Sequence, residues 1–189
     1  MKKIVLFASG NGTNAEEIIR YFKEDSLGTV AAVFTNNSSA KVIEKAKKLE
    51  VTTLIFNRIQ LNDGFVLDEI NKIKPDLIVL AGFLLKFPES IIEAFPNKII
   101  NIHPALLPNY GGKGMYGMHV HNAIFENKEA ETGITIHYVT PNYDEGAIIF
   151  QKRVTITACK TPEAIAEKVH ELEHKYFPEV ISDLLNSKF

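Results

Sequence analysis

The sequence predicts an α/β protein of three layers, a mostly parallel central sheet between two helical layers. Ile4 to Ala8 is a continuous apolar run, as expected of a strand covered on both faces. Apolar residues at helical spacing follow it, and strand-like and helix-like segments alternate as far as Ile102. The chain has 189 residues and is 46% hydrophobic, enough to close a core without disulfides or a structural metal.

The elements follow in order. After the first strand, Ala15, Ile18, Ile19 and Phe22 form the stripe of a first helix. Thr29 to Thr35 is a second strand. Ser39 is the expected N-cap of a helix carrying Val42, Ile43, Ala46 and Leu49. Thr53 to Phe56 is a short strand, and one helix is expected from about Asp63 to Lys74, stopping before Pro75. Leu77 to Ala81 reads as a central strand, Phe87 to Phe95 as a short helix, and Lys98 to Ile102 as a fifth strand. His103 to Gly117 is rich in Gly, Pro and Asn and reads as an ordered functional loop. Val120 to Glu126 is a short helix, and Thr132 to Thr140 and Ala147 to Thr155 are two strands joined by Pro141 to Gly146. Thr161-Pro162-Glu163 opens a terminal helix with Ile165, Val169, Leu172 and Tyr176 as its buried stripe, and Pro178 is expected to kink or divide it. No repeat or linker interrupts this order, so residues 1–189 read as a single domain. Its amino half, to about residue 100, holds a phosphate loop, and its carboxy half carries polar loops and the terminal helix.

Composition narrows the function. The net charge of −2 and the lack of a basic run argue against sequence-independent nucleic-acid binding. The single cysteine, Cys159, cannot pair within the chain, which suits a reducing cytoplasm. Lys2-Lys3 before Ile4 to Ala8 resembles the stub of a signal peptide, but the apolar run is too short. No stretch is long enough to span a bilayer. Asn37-Ser38-Ser39 matches a glycosylation sequon, read here as an ordinary turn.

Ser9-Gly10-Asn11-Gly12-Thr13-Asn14-Ala15 joins the first strand to the first helix. Glycines let the backbone approach an anion, and a helix N-terminus offers free N–H groups and a positive dipole end. A full dinucleotide would call for an acidic residue after the second strand. That region reads Phe34-Thr35-Asn36-Asn37, so a phosphate monoester fits better; the alternative is a tight turn that binds nothing. Asn101 and His103 lie two apart at the end of a strand and face the same way, with Ile102 turned into the packing. An amide and an imidazole there can stabilise an oxyanion and move a proton, or merely cap a strand end. Asp144, in Asp144-Glu145-Gly146, is either a turn former or a partner for His103. If the two meet, the carboxylate is expected to favour the imidazolium and raise its pKa.

Ser9 to Asn14 (SGNGTN), Ala81-Gly82-Phe83, Asn101 to Pro108 (NIHPALLP), His119, His137 and Asp144-Glu145-Gly146 occur in this order along nearly the whole chain. In these motifs the chain resembles the phosphoribosylglycinamide formyltransferase family, folate-dependent enzymes of purine synthesis. The resemblance implies a formyltransferase fold with a Rossmann-like amino half. It also implies formyl transfer from 10-formyltetrahydrofolate, the co-substrate, to the amine of glycinamide ribonucleotide, with no metal. It assigns catalysis to Asn101, His103 and Asp144, with the imidazole kept charged by the carboxylate. The ribonucleotide phosphate maps onto Gly10, Asn11, Gly12, Thr13 and Asn14, and its remainder onto Pro104, His170 and Glu173. The folate maps onto Leu84, Leu85, Lys86, Phe87 and Asn101, and onto Thr140, Pro141, Asn142, Tyr143 and Asp144. The implied partners are these two small molecules, without nucleic acid or membrane, in a cytoplasmic monomer or homodimer. Two departures stand out. Leu84-Leu85 precedes Lys86 where the family often has a basic residue at once, and no arginine is clearly placed for the folate tail. Gly111 to Gly117 is longer than the shortest family loops, and reads as a lid, a partner surface or a plain surface loop.

Other readings compete. A formyltetrahydrofolate hydrolase or methionyl-tRNA formyltransferase would be expected to carry a further domain. A non-catalytic nucleotide-binding module would use the glycine loop but not His103 or Asp144. His170-Glu171-Leu172-Glu173-His174 satisfies the H-E-x-x-H pattern of zinc hydrolases, with His170 and His174 as ligands and Glu171 as base. No third ligand follows in a family pattern, and Pro178 stands close by. His119 and His121 would diverge on a helix, and read as one exposed and one buried, hydrogen-bonded histidine rather than a metal pair.

Overall fold

The structure, a computed structural model, describes residues 1–186. Its elements are β1 (Lys2–Phe7), α1 (Thr13–Glu24), β2 (Gly28–Thr35), α2 (Val42–Lys48), β3 (Thr53–Ile55), α3 (Arg58–Asn62) and α4 (Phe65–Ile73). There follow β4 (Leu77–Leu80), α5 (Glu89–Ala94), β5 (Ile99–His103), α6 (Met118–Glu126), β6 (Glu131–Tyr138), β7 (Ile148–Thr155) and α7 (Pro162–Asn186).

The strands form one seven-stranded sheet in the order β3-β2-β1-β4-β5-β6-β7. The pairs from β3 to β5 are parallel, while β6 and β7 join antiparallel, so the sheet is mostly parallel as expected. Side chains alternate along β1. Ile4 and Leu6 enter one core with α1, α6 and α7, while Val5 and Phe7 enter the other with α4 and α5. Phe7 anchors the second core, its ring 5.0 Å from Phe34 and 5.1 Å from Phe87. The strand order reverses between β1 and β4, and in open α/β sheets ligands bind at the carboxyl ends of strands flanking such a point. Here that point is stitched together: Ser9 N–H donates to Gly82 O at 3.0 Å, and Leu84 N–H to Ser9 Oγ at 3.0 Å.

Several local expectations are corrected. The helix expected from about Asp63 to Lys74 is α4, and a further short helix that was not expected, α3, precedes it, parted from it at Gly64, whose φ of +101° is left-handed. Asn57 starts α3 by a capping box with Gln60. Ser39 does not cap α2; its N–H is taken by Asn37 Oδ1 at 2.9 Å, and Lys41 is the N-cap. Pro178 does not divide α7, which runs unbroken from Pro162 to Asn186. The ring removes one backbone donor, but it is buried beside Phe177, Val180 and Ile181, and tertiary packing outweighs local propensity. Glu173 and Phe177 take fully buried places on α7, whereas Leu172 and Tyr176 are only half-buried. Thr161 does cap α7, accepting from Ala164 N–H at 3.2 Å.

Candidate active site

A cavity of about 640 Å³ opens above the carboxyl ends of β1, β4 and β5. Gly10 to Asn14, Leu84 to Phe87 and Thr140 to Tyr143 line it. Asn101, His103, Pro104, Asp144, His170 and Glu173 also face it, so every residue that the family resemblance assigns to catalysis or binding borders one space, whereas His119, Glu171 and His174 do not line it. No helix among the described residues is long and apolar enough to cross a membrane.

The glycine loop is built by backbone constraint. Gly12 has φ +69°, and a Cβ there would lie 2.3 Å from Val42 Cγ2, so α2 packs directly on it. Gly12 caps α1 without a side-chain hydrogen bond, leaving first-turn N–H groups for a ligand. Asn14 turns back to α7, its Nδ2 donating to Glu173 Oε2 at 2.9 Å. Glu173 is 5% exposed, and burial pushes its carboxyl up against the opposing effects of Asn14 and His170. His170 Nε2 lies 4.0 Å from the same oxygen.

Asn101 and His103 sit on β5, with Ile102 buried between them. The next segment is fixed by Thr135, whose hydroxyl donates to Ala105 O at 2.7 Å and accepts from Leu107 N–H at 3.0 Å. His103 is 3% exposed. Its Nε2 is 2.7 Å from Tyr110 O. A carbonyl only accepts, so Nε2 carries a hydrogen and Nδ1 is the titrating atom. Nδ1 lies 3.6 Å from Asp144 Oδ2, an ion-pair contact rather than a hydrogen bond.

The electrostatics correct one expectation. Burial pulls the His103 pKa down and outweighs the upward pull of Asp144 and the Tyr110 carbonyl. The imidazole is therefore below its ordinary range, not held charged. Burial also pushes Asp144 up, but the His137 contact, the His103 charge and the Gly112 N–H together hold it below the usual carboxylate value. Asp144 itself has φ +56°, left-handed for a side-chain-bearing residue, and Gly146 follows where a Cβ would strike Tyr138 O.

His137 is the site residue that sequence reasoning left without a role. It is 2% exposed and stands opposite Asn101 in the β5–β6 register. Its Nδ1–H donates to Tyr138 O at 2.8 Å, so the Nε2 lone pair can accept from Asn101 Nδ2 at 3.1 Å. Nε2 is also 3.5 Å from Asp144 Oδ1. The signal lay in the alternation of β6, which turns Thr135 and His137 to one face.

The remaining histidines divide as follows. His119 is exposed and its ring lies 5.1 Å from Tyr116, while His121 is buried. The buried one lacks the expected satisfaction: its Nδ1 has no partner, and burial drives its pKa down to about 4. His170 and His174 stack on α7 with rings 6.2 Å apart, but no group of three possible metal ligands occurs among the described residues.

Comparison with known proteins adds an independent line. The formyl transferase family profile matches residues 2–181. The chain is 36% identical over 194 residues to the chloroplastic phosphoribosylglycinamide formyltransferase of Arabidopsis thaliana, covering 99% of this chain and 66% of the plant protein. It thus spans a little under two thirds of that relative. It is 36% identical over 192 residues to the phosphoribosylglycinamide formyltransferase of Bacillus subtilis, covering 98% of this chain and 95% of the relative. Its fold matches the crystal structure of glycinamide ribonucleotide transformylase 1 from Geobacillus kaustophilus with a TM-score of 0.89 at 33% identity, covering 98% and 100% of the two chains.

Proposed function

The chain belongs to the formyl transferase family, among its phosphoribosylglycinamide formyltransferases, and on that premise we propose that it formylates glycinamide ribonucleotide in purine biosynthesis. The formyl donor is 10-formyltetrahydrofolate. The observation that carries this reading is the convergence of Asn101, His103 and Asp144, far apart in sequence, on one cavity that also holds an uncapped helix N-terminus.

The ribonucleotide phosphate binds the N–H groups of the Gly10–Asn14 loop, and Glu173 and His170 face the ribose end. Pro104 lines the passage toward the reacting amine. The folate lies against Leu84 to Phe87 and the backbone of Thr140 to Asp144. Leu84 and Tyr143 are 54% and 43% exposed there, apolar surface suited to a flat ring. Lys86, which lines the cavity and lies 3.9 Å from Glu89, suits the donor's acidic tail.

The amine nitrogen adds to the formyl carbon, and the carbonyl electron pair moves onto oxygen. The Asn101 amide donates to that oxyanion. The nitrogen's surplus proton passes to Nδ1 of His103, which its low pKa keeps free beforehand. Asp144, ionised and 3.6 Å away, stabilises the imidazolium as it forms. Nδ1 then returns the proton to the donor nitrogen as its bond to the formyl carbon breaks, leaving tetrahydrofolate and the formylated ribonucleotide. No step calls for a metal or a nucleic acid, and the single cysteine suits a reducing cytoplasm. The test is isotopic: donor labelled in its formyl carbon must pass the label to the ribonucleotide. Label recovered only as free formate indicates a hydrolase.

A further inference from the structure

We propose that the turn Tyr110–Gly111–Gly112 is a positioning clamp, gripping His103 by a carbonyl and Asp144 by an N–H, and so setting both members of the acid–base pair from one piece of backbone. The proposal rests on the formyl-transfer reading for its kinetic consequences, but not for its geometry.

Five observations carry it. His103 Nε2–H donates to Tyr110 O at 2.7 Å. Two residues on, Gly112 N–H donates to Asp144 Oδ2 at 2.9 Å. Tyr110 and Gly112 reach these positions through left-handed backbone, with φ of +56° and +94°. For a tyrosine that conformation costs roughly 1 kcal/mol, so something must hold it. The side chain supplies that hold: its hydroxyl donates to Glu129 Oε1 at 2.6 Å and accepts from Asn127 Nδ2 at 2.9 Å. Between the two grips, Gly111 leaves no space. A Cβ there would meet Leu107 Cδ2 at 2.5 Å and Asp144 Cβ at 3.3 Å.

The chemical consequence is specific. The carbonyl commits Nε2 to carrying its hydrogen, so the proton in flight uses Nδ1, the atom facing Asp144. The Gly112 N–H helps to keep Asp144 ionised opposite it. The titratable groups around the pair are His137 from β6 and, facing His103, His121 from α6.

Gly111→Ala tests the grip on Asp144. Gly111 is not in the left-handed region, so alanine suits its backbone and acts only through its methyl group. The tip of Leu107 can move aside, whereas Asp144 Cβ, 3.3 Å from the new methyl, must give way and so loosens the bond to Gly112 N–H; kcat should fall about threefold or more while both KM values stay within about twofold. Asp144 should protonate more easily, moving the acid limb of the kcat profile to higher pH. An unchanged kcat, a loss confined to KM, or a lower kcat with an unmoved acid limb overturns the proposal. Tyr110→Phe, which removes the anchor and keeps the packing, supplies a second variant should the first not fold. In substrate-free protein, ¹⁵N resonances of the His103 ring should report hydrogen on Nε2 alone in the wild type, and a mixture of Nε2–H and Nδ1–H forms in Tyr110→Phe. Identical spectra overturn the clamp. Because the spectra need no substrate, a wild type that shows the pinned tautomer but no transfer would refute the formyl-transfer reading and leave the clamp standing.

Discussion

Asn14 and Glu173, 159 positions apart, are joined by a hydrogen bond of 2.9 Å that ties the glycine loop to the terminal helix. The carboxyl group is buried and its pKa is raised, so the folded protein holds that proton more tightly than the unfolded chain. Its stability contribution is whole at low pH and is lost as pH rises above the ordinary carboxylate value. Glu173→Gln keeps an acceptor for Asn14 and removes the buried charge. At pH 8 it should equal or exceed the wild type in urea stability, by up to about 1 kcal/mol, while ribonucleotide KM rises about tenfold. A variant that is destabilised at pH 8 with unaltered KM would contradict this.

Gly12→Ala should act on the ribonucleotide side alone. Its methyl would meet Val42, including the backbone Cα at 2.9 Å, so the loop or α2 must shift. With residues that line the folate end untouched, ribonucleotide affinity should drop about tenfold or more and donor KM should hold. Calorimetric titration with ribonucleotide checks it; unchanged affinity counts against a phosphate loop.

His121 should make the protein acid-sensitive. Its folded pKa of about 4 lies below the free value of 6.5, so unfolded chains take up the proton first as pH falls. The contribution is whole above pH 6.5 and is lost between there and pH 4, at most about 3 kcal/mol. His121→Asn should flatten the dependence of denaturation free energy on pH across this window. The same slope in wild type and variant would show that another group governs it.

Asn101→Ala, His103→Ala and Asp144→Ala should each lower kcat by about 10²–10⁴-fold with the fold intact. Circular dichroism and urea melts check the fold, and initial rates check the chemistry. Near-normal turnover in all three folded variants rejects the assignment.

Much of this was readable from the chain because the informative features are local. The parallel strands announce themselves as continuous apolar runs such as Ile4 to Ala8, and Gly10 to Asn14 needs only a strand before it and a helix after it. What escaped depends on distance or on packing. α3 buries only Leu61, so Arg58 to Asn62 shows no stripe, although Asn57 and Gln60 hold its cap. His137 acquires its place only through a register that sets it against Asn101. The lowered pKa of His103 reflects burial, which a carboxylate expected nearby could not reveal; the sign was decided by desolvation outweighing Asp144. Pro178 stays helical because its neighbours on α7 are buried, a tertiary fact.

One measurement bears most directly on the convergence of Asn101, His103 and Asp144 around a transferred carbon. Purified protein is mixed with 10-formyltetrahydrofolate, and tetrahydrofolate release is followed with and without glycinamide ribonucleotide. Release that depends on the ribonucleotide, in equal amounts with formylated product, is the result expected here. Release at the same rate without it, or none with both substrates present, would contradict the proposed transfer.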